Sequence, residues 1–180
     1  MYRPFVLMIF VFTTLLALFS LAGCSPTFDW REVRPDNTRL VVLLPCKPDK
    51  AQKQVPMGGQ PTQLSMLGCD AGGATFAVAV AEIADASGAA ALLAQWQALT
   101  LANMQAVPGS AQPLALRVPG ASAGLLVVRL QASGRRTDGA SVSGQAAYFA
   151  QGKQLFQVVL YAPKIAPEAA DTFFSSLKFE

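Results

Sequence analysis

The chain of 180 residues contains no histidine, three cysteines and two tryptophans, and only 14% of its residues are charged. Without histidine there is no Ser-His-acid triad, and the commonest protein ligand for zinc or copper is missing. Charged side chains usually make up about a quarter of a chain, and the formal net charge is only +3. That balance supplies no basic field for nucleic-acid phosphates. Hydrophobic types make up 52% of the sequence, which excludes a disordered chain. The length suits one domain.

Charge is scarcest at the start, where Arg3 is the only ionic residue before Asp29. From Phe5 to Ala22 the chain is apolar apart from Thr13, Thr14 and Ser20. One early cation before an apolar run has the shape of a secretory signal, and the run is also about long enough to span a bilayer. It ends Leu21-Ala22-Gly23-Cys24-Ser25. This segment resembles a bacterial lipobox, which separates the two readings in favour of a signal over an uncleaved helix. The resemblance implies cleavage between Gly23 and Cys24, with the Cys24 thiol taking a diacylglyceryl group. Each buried acyl methylene then contributes about 0.8 kcal/mol of membrane attachment. Ser25 stands where, by the enteric sorting rule, an aspartate would retain the protein at the inner membrane. The resemblance therefore favours the outer membrane, with the chain facing the periplasm. The expected division is a signal peptide over 1–23, a lipidated tether over 24–37, and one domain over 38–180. Trp30 lies in the tether, poised to pin it to the domain or to the bilayer surface.

Within the domain, hydrophobic period and Pro/Gly punctuation predict strands at Arg39–Pro45, Lys53–Met57, Gln63–Cys69 and Thr75–Ile83. The last alternates cleanly, with Phe76, Val78 and Val80 on one face and Ala77, Ala79 and Ala81 on the other. Ser87 reads as a helix N-cap. From Ala89 the residues Leu92, Leu93, Trp96 and Leu99 recur at helical spacing, and Pro108-Gly109 ends that pattern. Strands are predicted at Leu125–Gln131, Ala140–Ala150 and Gln154–Tyr161, as a meander. Pro167 and Glu168 open a final helix that buries Ala170, Phe173, Phe174 and Leu177. The order implies an α+β domain, an antiparallel sheet carrying a long central helix and a short C-terminal helix.

Leu44-Pro45, the glycine-bearing hairpin, the long helix, the aromatic hairpin from Tyr148-Phe149 to Phe156, and the ending Phe173-Phe174-Ser175-Ser176-Leu177-Lys178-Phe179 follow one another in a pattern similar to the PsbP-like α/β/α sandwich. The likeness spans roughly residues 38–180. It implies a mostly non-catalytic domain and transfers no site residue, because the fold carries no shared active site.

With Cys24 assigned to lipid, Cys46 and Cys69 remain. An even pair in an oxidising compartment invites a disulfide. Two buried free thiols are the next reading. A redox pair comes last, because there is no Cys-x-x-Cys and no histidine to activate a thiol. Other chemistry lacks parts. Gly139-Ala140-Ser141-Val142-Ser143 misses the nucleophile elbow by its last glycine. Ser175-Ser176-Leu177-Lys178 matches Ser-x-x-Lys without the companion motifs, among core aromatics. Glu82 and Asp85 read as helix N-terminal acids rather than an acid–base pair. Gly58-Gly59 and Gly72-Gly73 fit turns, not phosphate loops. No enzyme activity, metal or cofactor is expected.

Between Lys53 and Arg117 there is no basic residue, and only Asp70, Glu82 and Asp85 are charged. The long helix therefore presents Gln95, Gln97, Asn103 and Gln105 where exposed helices usually carry ions. Those four define a candidate face for an envelope protein partner, set against a charge-thinned, alanine-rich composition. Arg135-Arg136 in a turn are candidates for anionic headgroups or glycans, set against a solvated turn. The main expectation is a lipid-anchored domain that binds another envelope component. The alternative is a small ligand, a metabolite or lipid, held between sheet and helix over Ala77, Ala79 and Ala81. That alternative fails if Leu92, Leu93 and Trp96 fill the face.

Overall fold

A computed structural model describes residues 26–122 and 127–180. The predicted signal segment, Gly23 and Cys24 lie outside the described residues, as do Leu125 and Leu126 of one predicted strand.

The segment expected to be a tether is partly built into the fold. Its residues Arg31–Val33 form β1, which pairs antiparallel with β2 (Leu40–Leu44). Trp30 packs edge-on against Phe76 with ring centroids 5.9 Å apart, so it pins this segment to the domain. The physical reason is that Phe28, Trp30 and Val33 supply enough apolar surface to join the core.

Next comes a meander of β3 (Asp49–Met57), β4 (Gln60–Ala71) and β5 (Ala74–Glu82). Its two-residue turns are Gly58-Gly59 and Gly72-Gly73. All four glycines have positive φ, at 59°, 80°, 59° and 73°, which is the geometry that matches right-handed strand twist. Beyond β5 the cap differs from the expectation. Asp85, not Ser87, does the capping, and its carboxylate accepts from the Ser87 backbone N–H at 3.0 Å. A single 3-10 turn (Ala86–Gly88) then leads into α1 (Ala89–Asn103). The helix stops before Pro108-Gly109, because Gln105 takes a left-handed conformation (φ 46) and Ala106 N–H donates back to the Leu101 carbonyl at 2.9 Å.

The second half runs β6 (Gln112–Leu114), β7 (Val128–Arg135), β8 (Ser141–Gln151), β9 (Gln154–Ala162), α2 (Pro167–Ser175) and β10 (Lys178–Phe179). Seven strands form one sheet in the order β3-β4-β5-β9-β8-β7-β6, and β1-β2-β10 form a second, small sheet. Every pairing is antiparallel. The α+β class is therefore as expected, with a long and a short C-terminal helix on a large antiparallel sheet.

The alternation along β5 sorts the two cores. Phe76, Val78 and Val80 face the small sheet and α2, where Phe173, Phe174 and Leu177 are buried. Phe76 meets Phe173 edge-on at 5.2 Å. Each fully buried phenylalanine contributes about 1.5–3 kcal/mol. Ala81 faces the other way, into a second cluster with Ala89 and Leu93 of α1 and Leu155 of β9. Small residues on this face (Ala81, Ala146, Ala150) let the helix lie close to the sheet.

Cys46 and Cys69 are joined as a disulfide with Cα atoms 6.0 Å apart. The two cysteines do not end neighbouring strands of one sheet. Cys46 follows β2 of the small sheet and Cys69 lies within β4 of the large one, so the bridge ties the two sheets together. Ser176, the second serine of Ser175-Ser176-Leu177-Lys178, fastens the end of α2 to β2. Its Oγ accepts from Leu43 N–H at 2.9 Å and donates to the Phe173 carbonyl at 2.7 Å.

Candidate functional site

Seven strands about 4.8 Å apart make a sheet about 29 Å wide, while a helix with its side chains is only about 10–12 Å across. One helix cannot cover that face. The uncovered part, beside and beneath the C-terminal half of α1, is a cavity of about 600 Å³. Its helix side is Leu92, Gln95, Trp96, Leu99, Thr100 and Asn103, and its sheet side includes Val55, Met57, Leu64, Thr75, Gln157 and Tyr161.

The alanines expected as its floor are not part of the lining. Ala79 and Ala81 are buried, and the floor is formed instead by Leu64, Thr75, Gln157 and Tyr161. The test posed by the sequence divides in the same way. Leu93 fills its part of the face and is buried, whereas Leu92 and Trp96 are only half-buried and border open space.

The cavity wall contains a polar chain that connects helix to sheet. Gln157 Nε2 donates to Thr100 Oγ1 at 2.7 Å and to the Tyr148 hydroxyl at 3.2 Å. Thr100 Oγ1 donates to the Trp96 carbonyl at 2.9 Å, and Trp96 lies edge-on to Tyr148 at 6.5 Å. These groups satisfy one another, and the chain locks α1 at a fixed height. Burial pushes the Tyr148 hydroxyl above the usual phenol value. Burial, with the neighbouring Tyr148, pushes the Tyr161 hydroxyl up to about 12. Both phenols are therefore neutral hydrogen-bonding groups at physiological pH.

The close approach of α1 to β7 depends on Gly134. A Cβ placed there would stand 2.0 Å from the Met104 carbonyl oxygen. Two backbone bonds cross at this point, Arg135 N–H to Met104 O and Val107 N–H to Ser133 O, both 2.8 Å.

The four residues of the candidate partner face do not lie together. Gln95 and Asn103 share the cavity side of α1 with Leu99, which is 50% exposed. Gln97 is half-buried and Gln105 lies past the helix end. Helical geometry explains the split, since two residues apart is about 200° around the axis. Arg135 and Arg136 line the cavity at its β7 end. Glu82 and Asp85 are exposed at the entry to α1, and the Ser87 hydroxyl and N–H hold the Asp85 carboxyl below its usual range.

Sequence reasoning missed two features. One is the Gln157–Thr100–Tyr148 chain, whose only trace was a glutamine at an inward position of a hydrophobic strand. The other is Arg129, whose side chain is only 11% exposed. It donates to Gln145 Oε1 at 2.6 Å and stacks 4.1 Å above the Phe174 ring. Among the described residues no three His, Cys, Asp or Glu side chains cluster as metal ligands, and no helix is long and apolar enough to cross a membrane.

No family model and no curated protein matches the sequence. Among solved structures, a crystal structure from Bacteroides thetaiotaomicron is similar over 79% of this chain, at 12% identity and a TM-score of 0.43. The chain spans 45% of that chain's length. At that score the likeness supports no statement about function.

Proposed function

We propose that this is a non-catalytic, lipid-anchored protein of the bacterial envelope whose domain binds a small, largely apolar ligand between α1 and the large sheet. The observation that carries the binding reading is the 600 Å³ cavity, within the range of about 300–1,000 Å³ in which pockets bury small molecules. The lipobox-like Leu21-Ala22-Gly23-Cys24 supports the anchor at Cys24, and Ser25 supports the outer membrane. The layering of α1, large sheet, and α2 with the small sheet supports membership of the PsbP-like sandwiches. Neutral phenols and mutually satisfied polar groups in the cavity wall favour binding over turnover.

The neutral fluorophore N-phenyl-1-naphthylamine tests the cavity. One saturable site per chain is expected, and Thr75→Trp, at an exposed strand position lining the cavity, lowers affinity about tenfold or more. Absence of saturable binding, or an unchanged affinity in Thr75→Trp, would sink the reading.

A second reading, contact with another envelope protein, draws on the large apolar side chains of Leu99 on α1 and Val107 just past its end, which are 50% and 54% exposed. Crosslinking from Leu99 in intact envelopes distinguishes it, because a partner protein is captured there only if this surface is an interface.

A further inference from the structure

The cavity has a shape and a charge pattern that narrow its ligand. Its sheet-side lining comes from β3, β4, β5, β9, β8 and β7, and these are successive neighbours in the sheet. Five intervals of about 4.8 Å make the space about 24 Å long across the strands. The β3–β4 end is apolar, with Val55, Met57 and Leu64. The β7 end carries Arg135 and Arg136, the only charged residues in the lining among the described residues. Among the described residues neither arginine forms an ion pair. Asp138, in the same turn, accepts from the Ala140 backbone N–H at 2.9 Å. The Arg135 guanidinium makes a long contact, Nη1 to the Gly139 carbonyl at 3.4 Å.

A long trough that is apolar at its β3–β4 end, with uncharged polar groups along its middle, guanidinium groups at the other end and no carboxylate in its lining, is complementary to one chemical shape. We infer that the ligand is a single-chain amphiphile with an anionic head, its chain running under α1 toward β3 and its carboxylate or phosphate at Arg135 and Arg136. Guanidinium pairs such heads through two parallel N–H donors. The arginines are exposed, so head recognition is wet, modest and screened by salt. This inference rests on the ligand-binding reading above.

Displacement of N-phenyl-1-naphthylamine from the full chain by dodecanoate, dodecanol and dodecyltrimethylammonium, below their micelle concentrations, tests it. Dodecanoate is expected to bind about tenfold more tightly than dodecanol at low salt, with the cationic chain weakest. The preference shrinks at high salt and disappears in Arg135→Gln/Arg136→Gln. Equal affinities for dodecanoate and dodecanol, or a preference that survives the double substitution, would overturn the anionic head while leaving the cavity reading intact. Fluorophore binding that no dodecyl chain displaces overturns the amphiphile as a class. A protein that does not bind the fluorophore at all defeats the cavity reading itself.

Discussion

Replacing Gly134 by alanine removes the close contact that seats the end of α1 on β7. The added Cβ meets the Met104 carbonyl oxygen at 2.0 Å and the Met104 carbonyl carbon at 3.0 Å. Unstrained non-bonded contacts sit near about 3.5 Å, so the helix end or the strand must retreat by more than about 1 Å. Backbone on both sides leaves no flexible side chain to absorb the shift. The two crossing hydrogen bonds, Arg135 N–H to Met104 O and Val107 N–H to Ser133 O, lengthen or break, at about 0.5–1.5 kcal/mol each. Overpacking adds about 1–3 kcal/mol. Alanine returns about 0.4–1 kcal/mol by restricting the unfolded chain. The net expectation is a loss of about 1–6 kcal/mol in urea unfolding, followed by circular dichroism and by the fluorescence of Trp30 and Trp96. The helix end also forms a wall of the cavity, so N-phenyl-1-naphthylamine affinity shifts in the folded variant. A Gly134→Ala protein within about 0.5 kcal/mol of the parent, with an unchanged denaturant slope, refutes this account of how α1 is seated.

Two further outcomes follow from the same structure. The Cys46–Cys69 bridge closes a loop with a sequence separation of 23, so Cys46→Ala/Cys69→Ala loses about 3 kcal/mol on the chain-entropy model, or about 6–12 °C in Tm. A reducing agent that leaves the parent's urea midpoint unmoved counts against it. The Tyr161 phenol is raised from 10.0 to about 12, so the folded chain keeps its proton where the unfolded chain has lost it. Its stabilising contribution is therefore complete below pH 10 and declines as pH climbs from 10 toward 12. Phenolate absorbance and urea midpoints across that range should both change in Tyr161→Phe, and an unaltered alkaline profile in that variant rules the idea out.

Much of the scaffold was legible because it rests on local rules. The two-residue period of Thr75–Ile83 placed Phe76, Val78 and Val80 on one core and Ala77, Ala79 and Ala81 on the other. The Gly-Gly pairs marked turns, and Pro167 with Glu168 marked the start of α2. Boundaries slipped where a tertiary contact overrode the local signal. Segment 31–33 became β1 because Phe28 and Trp30 found Phe76. The long helix stopped at Asn103 because its end docks on Gly134. The four polar residues of the candidate face were grouped by composition, and the helical angle between Gln95 and Gln97 separates them.

The sequence by itself determined the class of the domain, the absence of histidine chemistry and the two faces of β5, since composition and periodicity depend only on the order of residues. It also carries the lipobox-like motif, a local string. Only the tertiary structure decided that Cys46 and Cys69 join two different sheets, that Gln157, Thr100 and Tyr148 form one chain, and that Arg135 and Arg136 end a trough beginning at Val55. Those groups lie far apart along the chain and meet through the strand order β3-β4-β5-β9-β8-β7, a non-local pairing that no single window of sequence encodes.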